Sequence, residues 1–144
     1  MTAFGIWVIL VPLFDQAVKI VVRHRLRHGS IPLGPIGQVR VVQTQIWMRQ
    51  ASRRLTLRVI WIVWIVAAGA LAIFSALMPP FGWFSGLLLG GALSHAIETS
   101  LRGSICDYVC FRFWPAFNMA DVAVTVGACG MVVELFLAIR TAWL

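Results

Sequence analysis

The sequence contains few acidic residues. Asp and Glu together number five among 144 residues, against twelve Lys and Arg, so the formal net charge is +7 at pH 7. In a soluble protein this excess would indicate a nucleic-acid partner. Here the basic residues lie beside apolar segments, which favours anionic lipid headgroups instead. We therefore expect no nucleic-acid partner.

Cysteine and histidine are also scarce, with three of each. An odd number of cysteines without a paired framework indicates no disulfide scaffold. His95 and Glu98 lie three residues apart, and Cys106 and Cys110 four apart. Neither pair is accompanied by the further ligands that a zinc site needs. The sequence therefore predicts no metal site and no cofactor.

Apolar residues make up 60% of the chain. Soluble domains are about 45–50% apolar, so this composition predicts an all-α membrane protein. The length allows one integral membrane domain over residues 1–144. Four apolar segments are each long enough for a transmembrane helix, which predicts a four-helix bundle. The predicted spans are about 4–22, 59–78, 81–97 and 120–143.

A polar segment over residues 23–58 separates the first two spans, and we interpret it as an interfacial loop. Gly and Pro punctuate residues 29–35, which is typical of a turn. Residues 38–46 are β-branched with partial alternation, which predicts a short strand or hairpin on the membrane surface. Residues 47–58 are basic and amphipathic, which predicts an interfacial helix. Anionic lipid headgroups are the expected partners of this loop.

Four of the five acidic residues fall toward one side of the predicted bundle. The ends of spans one and three and the starts of spans two and four share that side, because consecutive spans alternate in direction. The four residues there are Asp15, Glu98, Asp107 and Asp121. A carboxylate in or near a bilayer is costly, so this gathering indicates a functional site.

Asp121, at the start of span four, and Glu98, at the end of span three, are the predicted catalytic pair. Two carboxylates held close share one proton. One can then act as general base on a water while the other protonates the scissile carbonyl. Asp15 and Lys19 are four residues apart and are predicted to pair on one helix face. That pair either neutralises charge near an interface, with Lys19 extending outward, or orients the active site.

Three stretches of the second half resemble the lipoprotein signal peptidases, also called signal peptidase II. In that family a Gly-Gly-Ala-rich third helix ends in Gly-Asn-x-x-Asp-Arg, and Val-x-Asp-Phe and Trp-Pro-x-Phe-Asn-x-Ala-Asp follow. The similar stretches here are GGALSHAIE (90–98), GSICDYV (103–109) and FWPAFNMAD (113–121). Asp15-Gln16, followed two residues later by Lys19, also resembles the family's first-helix motif.

The resemblance implies an intramembrane aspartyl endopeptidase of the bacterial inner membrane. Such enzymes cleave the signal peptide from a diacylglyceryl-modified prolipoprotein. By position, Asp121 matches one catalytic aspartate, Asn118 matches a supporting asparagine, and Glu98 falls where the other catalytic aspartate is expected. The further supporting candidates are Asp107, Asp15, Lys19 and His95.

The chain departs from the family pattern beside the predicted pair. Glu98 replaces Asp, His95 replaces Asn and Thr99 replaces Arg, and the family's first-loop motif Asn-x-Gly-Ala-x-Phe has no counterpart. A second hypothesis is therefore a non-catalytic subunit that packs into a larger membrane complex. A small transporter is a weaker third hypothesis, since the ionisable residues gather at one side instead of lining a path.

The two indicators of orientation disagree. Residues 23–58 contain eight arginines, so the positive-inside rule places this loop, and the carboxylates with it, in the cytoplasm. The family resemblance places the carboxylates on the outer side.

Overall fold

The computed structural model of the chain describes residues 2–26, 29–45 and 50–142. Within them it is mainly helical, with a small antiparallel sheet, which confirms the predicted helical class. A 3-10 turn at Gly34–Ile36 separates the first two strands. In chain order the elements are α1 (Thr2–Arg25), β1 (Ser30–Pro32), β2 (Gly37–Gln45), α2 (Gln50–Leu77), α3 (Phe81–Arg102), β3 (Ser104–Phe111), β4 (Trp114–Phe117) and α4 (Met119–Ala142).

Three helices of the described ranges are long and apolar enough to cross a membrane. They cover Thr2–Arg25, Arg53–Leu77 and Met119–Thr141. The predicted third span corresponds to α3, which does not meet that criterion. α3 contacts α1, α2 and α4 and so lies at the centre of the bundle. A helix surrounded by other helices can carry polar side chains that a lipid-facing helix cannot.

The second predicted span begins earlier than expected. α2 is one continuous helix from Gln50. The described part of the basic segment 47–58 therefore belongs to the same helix as span two, and residues 47–49 lie outside the described ranges.

α3 runs five residues beyond its predicted end and stops at Gly103. That glycine has φ 69° and donates its N–H to the Thr99 carbonyl at 2.9 Å, which is a left-handed helix end that favours glycine.

The sheet joins two segments that are far apart in the sequence. β2 corresponds to the predicted strand at 38–46, of which residue 46 lies outside the described ranges. β3 and β4 lie between the predicted third and fourth spans and were not predicted. The strand order is β1-β2-β3-β4, all antiparallel, with Val39 opposite Val109 and Gln45 opposite Ser104. β3 follows α3 directly and β4 leads into α4, so the sheet lies at the end of the bundle where these helices meet.

Burial is inverted relative to a soluble protein. Large apolar side chains face outward, and Leu77 and Phe136 are both 76% exposed. Asp15, Lys19 and Glu98 are fully buried. This distribution suits a protein surrounded by lipid, where ionisable groups face the bundle interior.

Glycines allow the neighbouring helices to approach α3 closely. A Cβ on Gly90 would lie 2.6 Å from the Trp7 carbonyl oxygen of α1, and a Cβ on Gly91 would lie 2.6 Å from the Ala120 carbonyl oxygen of α4. These glycines lie in the predicted third span, and small residues of this kind let membrane helices pack closely. The contact at Gly91 fixes α4 against α3 at the first turn of α4, which carries Asp121.

Candidate active site

Asn118 and Asp121 define the start of α4. The Asn118 backbone N–H donates to Asp121 Oδ2 at 2.9 Å, and the Asp121 backbone N–H donates to Asn118 Oδ1 at 3.1 Å. This reciprocal arrangement satisfies two N–H groups that a helix start leaves without an intrahelical partner. It also holds the Asp121 carboxylate at a defined position on the first turn.

The same asparagine reaches a second carboxylate. Asn118 Nδ2 donates to Asp107 Oδ1 on β3 at 2.7 Å and approaches the Cys106 carbonyl oxygen at 3.4 Å. Asn118 is fully buried and Asp107 is 8% exposed. The structure therefore brings Asp107 and Asp121 together through one asparagine, although the sequence suggested only a supporting role for Asp107.

His95 of α3 contacts the carboxylate oxygen of Asp121 that the Asn118 backbone N–H does not. Its Nε2 lies 3.0 Å from Asp121 Oδ1. The Asp121 side chain is 41% exposed and that of His95 is 22% exposed. Asp121 is thus the accessible carboxylate of the site, and its two oxygens have different partners.

Glu98, the predicted partner of Asp121, points toward α1. Its carboxylate forms ion pairs with Lys19, at 2.7 Å, and with Arg23. It also accepts the Cys106 backbone N–H at 3.2 Å. The contacts described for Glu98 and for Asp121 do not join the two residues. Because two cations neutralise Glu98, it has no need to share a proton with a second carboxylate.

Asp15 and Lys19 form the predicted i, i+4 pair, at 2.7 Å. Lys19 does not extend outward; it is fully buried and directed at Glu98. Asp15 Oδ1 accepts the Ala120 N–H at 3.2 Å, and Asp15 Oδ2 accepts the Ser94 hydroxyl at 2.6 Å. The ion cluster of α1 thereby holds the first turn of α4, which supports an orienting role for the pair.

Two other titratable side chains of β3 stay neutral near physiological pH. Burial raises the pKa of the Cys106 thiol above its ordinary value, which argues against a thiolate nucleophile. Burial likewise raises the pKa of Tyr108 to about 12. The Tyr108 hydroxyl oxygen accepts the Met119 N–H at 3.2 Å. Within residues 2–26, 29–45 and 50–142, no three His, Cys, Asp or Glu side chains converge on a metal site.

An apolar groove of about 540 Å³ lies between α2, α3 and α4. His95 and Thr99 are polar residues of its wall and lie at its sheet end. A groove with apolar walls and a few convergent polar groups is the usual form of a binding site. The apolar lining includes Val59, Ile60, Val63, Trp64, Leu88 and Val124.

Comparison with known sequences places these features in context. A family model described as signal peptidase (SPase) II matches residues 7–137. A lipoprotein signal peptidase of Burkholderia mallei is 33% identical over an alignment 149 positions long, and the alignment covers 93% of this chain and 87% of that protein. A lipoprotein signal peptidase of Halothermothrix orenii is 42% identical over 52 residues, a segment that spans 36% of each chain.

Two solved structures, each titled as a bacterial membrane enzyme, share the fold. Both superpose with a TM-score of 0.76 and cover 94% of this chain, at 20% and 17% sequence identity. The matched regions cover 88% and 93% of those two chains. The helical bundle and its sheet thus form a known architecture. The residues matched by the family model, 7–137, include both Asp107 and Asp121.

Proposed function

The chain belongs to the signal peptidase II family, and from this we propose that it is an intramembrane aspartyl endopeptidase acting on diacylglyceryl-modified prolipoproteins. One observation carries the proposal for the site: Asn118 hydrogen-bonds Asp107 at 2.7 Å and Asp121 at 2.9 Å. We propose that these two carboxylates, which both accept hydrogen bonds from Asn118, form the pair that shares one proton. Asp107 thus takes the place that the sequence assigned to Glu98.

The exposure of the two carboxylates assigns their roles. Asp121, which is accessible, is the general base that takes a proton from the attacking water. Asp107, which is buried, holds the shared proton and delivers it to the scissile carbonyl oxygen as the water oxygen bonds to the carbonyl carbon. The tetrahedral intermediate then collapses, the C–N bond breaks, and the leaving nitrogen receives a proton from the pair.

The groove between α2, α3 and α4 is the proposed site for the apolar part of the signal peptide. Its lining is almost wholly apolar, and it ends at His95, 3.0 Å from Asp121. A peptide that lies in this groove brings its backbone to the two carboxylates. The polar end of the bundle then receives the peptide segment around the scissile bond.

We further propose that the protein lies in the bacterial inner membrane, with α3 as a fourth span. The basic residues near the sheet, among them Arg40 and Arg112, are proposed to contact anionic headgroups. Cleavage of an exported prolipoprotein requires the sheet on the outer side, opposite to the positive-inside prediction. A topology reporter fused after the last residue should remain cytoplasmic; an exported reporter would contradict this orientation.

The test is cleavage of a diacylglyceryl-modified prolipoprotein by the purified protein in lipid. Asp107→Asn and Asp121→Asn should each abolish cleavage, because each removes one carboxylate without changing side-chain size. Glu134→Gln is the matched control, since Glu134 lies thirteen residues beyond Asp121 on α4, about 20 Å along the helix axis. It should cleave like the wild type.

Two outcomes would reject the proposal. If Asp107→Asn cleaves like the wild type, Asp107 is not a member of the pair. If the wild type cleaves no lipoprotein and co-purifies stoichiometrically with a membrane complex, the non-catalytic hypothesis replaces the enzymatic one.

A further inference from the structure

His95 departs from the family pattern at the position that contacts Asp121. The family has asparagine there, whereas this chain has an imidazole whose Nε2 lies 3.0 Å from Asp121 Oδ1. The other oxygen of Asp121, Oδ2, accepts the Asn118 backbone N–H at 2.9 Å. One oxygen is therefore held by the turn that begins α4, and the other by a side chain of α3.

The second nitrogen of the His95 ring determines which ring nitrogen carries the proton. Nδ1 is buried and has no hydrogen-bond partner in the described ranges. Trp64, another residue of the groove wall, directs its indole N–H at the Leu89 carbonyl oxygen at 3.2 Å. A buried N–H without an acceptor is rarer and more costly than a bare acceptor nitrogen. The missing acceptor at Nδ1 favours the tautomer with its proton on Nε2.

The alternatives each place a proton on Nδ1. An imidazolium carries protons on both nitrogens. A neutral ring that accepts a proton from a protonated Asp121 carries its own proton on Nδ1. Both would bury an N–H that has no acceptor, so the contact runs from the His95 Nε2–H to an ionised Asp121.

The geometry points to His95 as a positioning residue of the peptidase site: it donates one hydrogen bond to Asp121, keeps this carboxylate in its base form and fixes its direction. This inference rests on the proposed function, because it assigns the residue that prepares the proposed base. Asp121 then has a donor on each oxygen, an arrangement that favours the ionised carboxylate. The shared proton is left to Asp107, in agreement with the roles assigned above.

His95 also forms part of the groove wall, so the imidazole contacts both the apolar groove and the carboxylate of Asp121. On α3, Glu98 lies three residues further and is turned toward Lys19 and Arg23. These charges are engaged with each other, which leaves Asp121 as the charged partner described for His95. The positioning is therefore a pairwise contact between α3 and α4 that one substitution can remove.

A matched pair of substitutions isolates the donor. In His95→Gln the amide nitrogen can occupy the position of Nε2, whereas His95→Met has similar length and volume but no N–H. We expect the Gln variant to exceed the Met variant by about 10- to 100-fold in kcat, with similar KM, because a misdirected catalytic group costs on this order. Thermal unfolding of both variants in lipid serves as the folding control.

Nitrogen NMR of the protein labelled with ¹⁵N-histidine supplies a readout that does not depend on cleavage. The His95 signals, identified by their loss in His95→Gln, should show Nε2 protonated and Nδ1 bare at neutral pH. They should shift in Asp121→Asn. A ring protonated on Nδ1, or equal kcat for the Gln and Met variants when both are folded, would overturn the inference. If the wild type cleaves no prolipoprotein, the proposed function fails, while the NMR measurement still decides the contact.

Discussion

Asn118 and Asp121 exchange two hydrogen bonds across the first turn of α4, and the Asn118 amide continues to Asp107. The helix cap and the link between the carboxylates are thus one residue. Any substitution that separates these two roles tests whether the link serves catalysis.

Asn118→Ser should retain the cap but lose the link to Asp107. Serine caps helices about as well as asparagine, but it has no amide that reaches Asp107. Asn118→Ala should lose both, with a stability loss of about 1 kcal/mol from the missing cap. We expect the Ser variant to unfold at a temperature between those of the wild type and the Ala variant, because it keeps the cap but removes the amide donor to Asp107, while its kcat falls as far as that of the Ala variant. Wild-type cleavage by the Ser variant would show that the amide link is dispensable.

Glu98→Gln should destabilise the protein more than a single substitution of Asp121, the accessible carboxylate of the site. Glu98 is fully buried and paired with Lys19 and Arg23, so the substitution removes the anion that faces Arg23 and leaves the buried Lys19 with Asp15 alone. Removing one partner of a buried ion pair costs roughly 3–5 kcal/mol. The measurement is thermal unfolding in lipid, with Glu134→Gln on α4 as the isosteric control.

Glu98→Asp distinguishes a structural role from a catalytic one. The shorter side chain keeps the charge but withdraws it from contacts with Lys19 and the Cys106 N–H. We expect a melting temperature between those of the wild type and the Gln variant. If the Gln variant melts like the wild type and yet fails to cleave, Glu98 belongs to the reacting pair and our assignment is wrong.

Gly91→Ala should disturb the site by displacing α4. The new Cβ would lie 2.6 Å from the Ala120 carbonyl oxygen and 2.7 Å from Val124 Cγ2, which are distances that require a backbone shift. A displacement of about 1 Å at a reacting group can cost on the order of a hundredfold in rate. We expect a large loss of kcat in the cleavage assay.

Gly69→Ala on α2 is the control for that change, because nothing beyond its own local helix backbone lies within 4 Å of the added Cβ. It should cleave like the wild type, with stability unchanged or raised by up to about 1 kcal/mol from the helix preference of alanine. Equal cleavage by the two alanine variants would mean that the α3–α4 contact does not position the site.

Tyr108 allows a direct measurement of burial at the sheet, because it is the single tyrosine of the chain. Burial raises its pKa to about 12, against about 10 for an exposed tyrosine. The phenolate absorbance of the folded protein should therefore appear near pH 12. Tyr108→Phe supplies the blank.

The sign of the linked stability change follows from the raised pKa. The native state holds the Tyr108 proton more tightly than the unfolded state does, so this stability is fully present below about pH 10 and is lost as pH rises toward about 12. Thermal unfolding at alkaline pH measures the loss, which Tyr108→Phe should reduce. A phenolate midpoint near pH 10 in the folded protein would contradict the buried position of Tyr108.

Local sequence patterns were sufficient for the helical framework and for the gathering of acidic residues. A long run of apolar residues predicts a helix because a helix of that length can cross the bilayer. The alternating direction of successive helices then places Asp15, Glu98, Asp107 and Asp121 at one end. The Asn118–Asp121 motif likewise depends on residues three apart. The Asp15–Lys19 pair depends on the i, i+4 spacing of a helix.

The long-range partners of the carboxylates were decided by tertiary structure alone. Glu98 contacts Lys19 across 79 residues of sequence, and Asp107 meets Asn118 only because β3 pairs with β4 before α4 begins. Which side of α3 faces α1, and which faces α4, depends on how closely glycines let the helices pack. The spacing of residues in the sequence specifies neither how closely the helices pack nor which side of α3 faces each neighbour. The sequence by itself therefore determined that carboxylates meet at this end of the bundle, and the packing of α3 between α1 and α4 decided which of them meet.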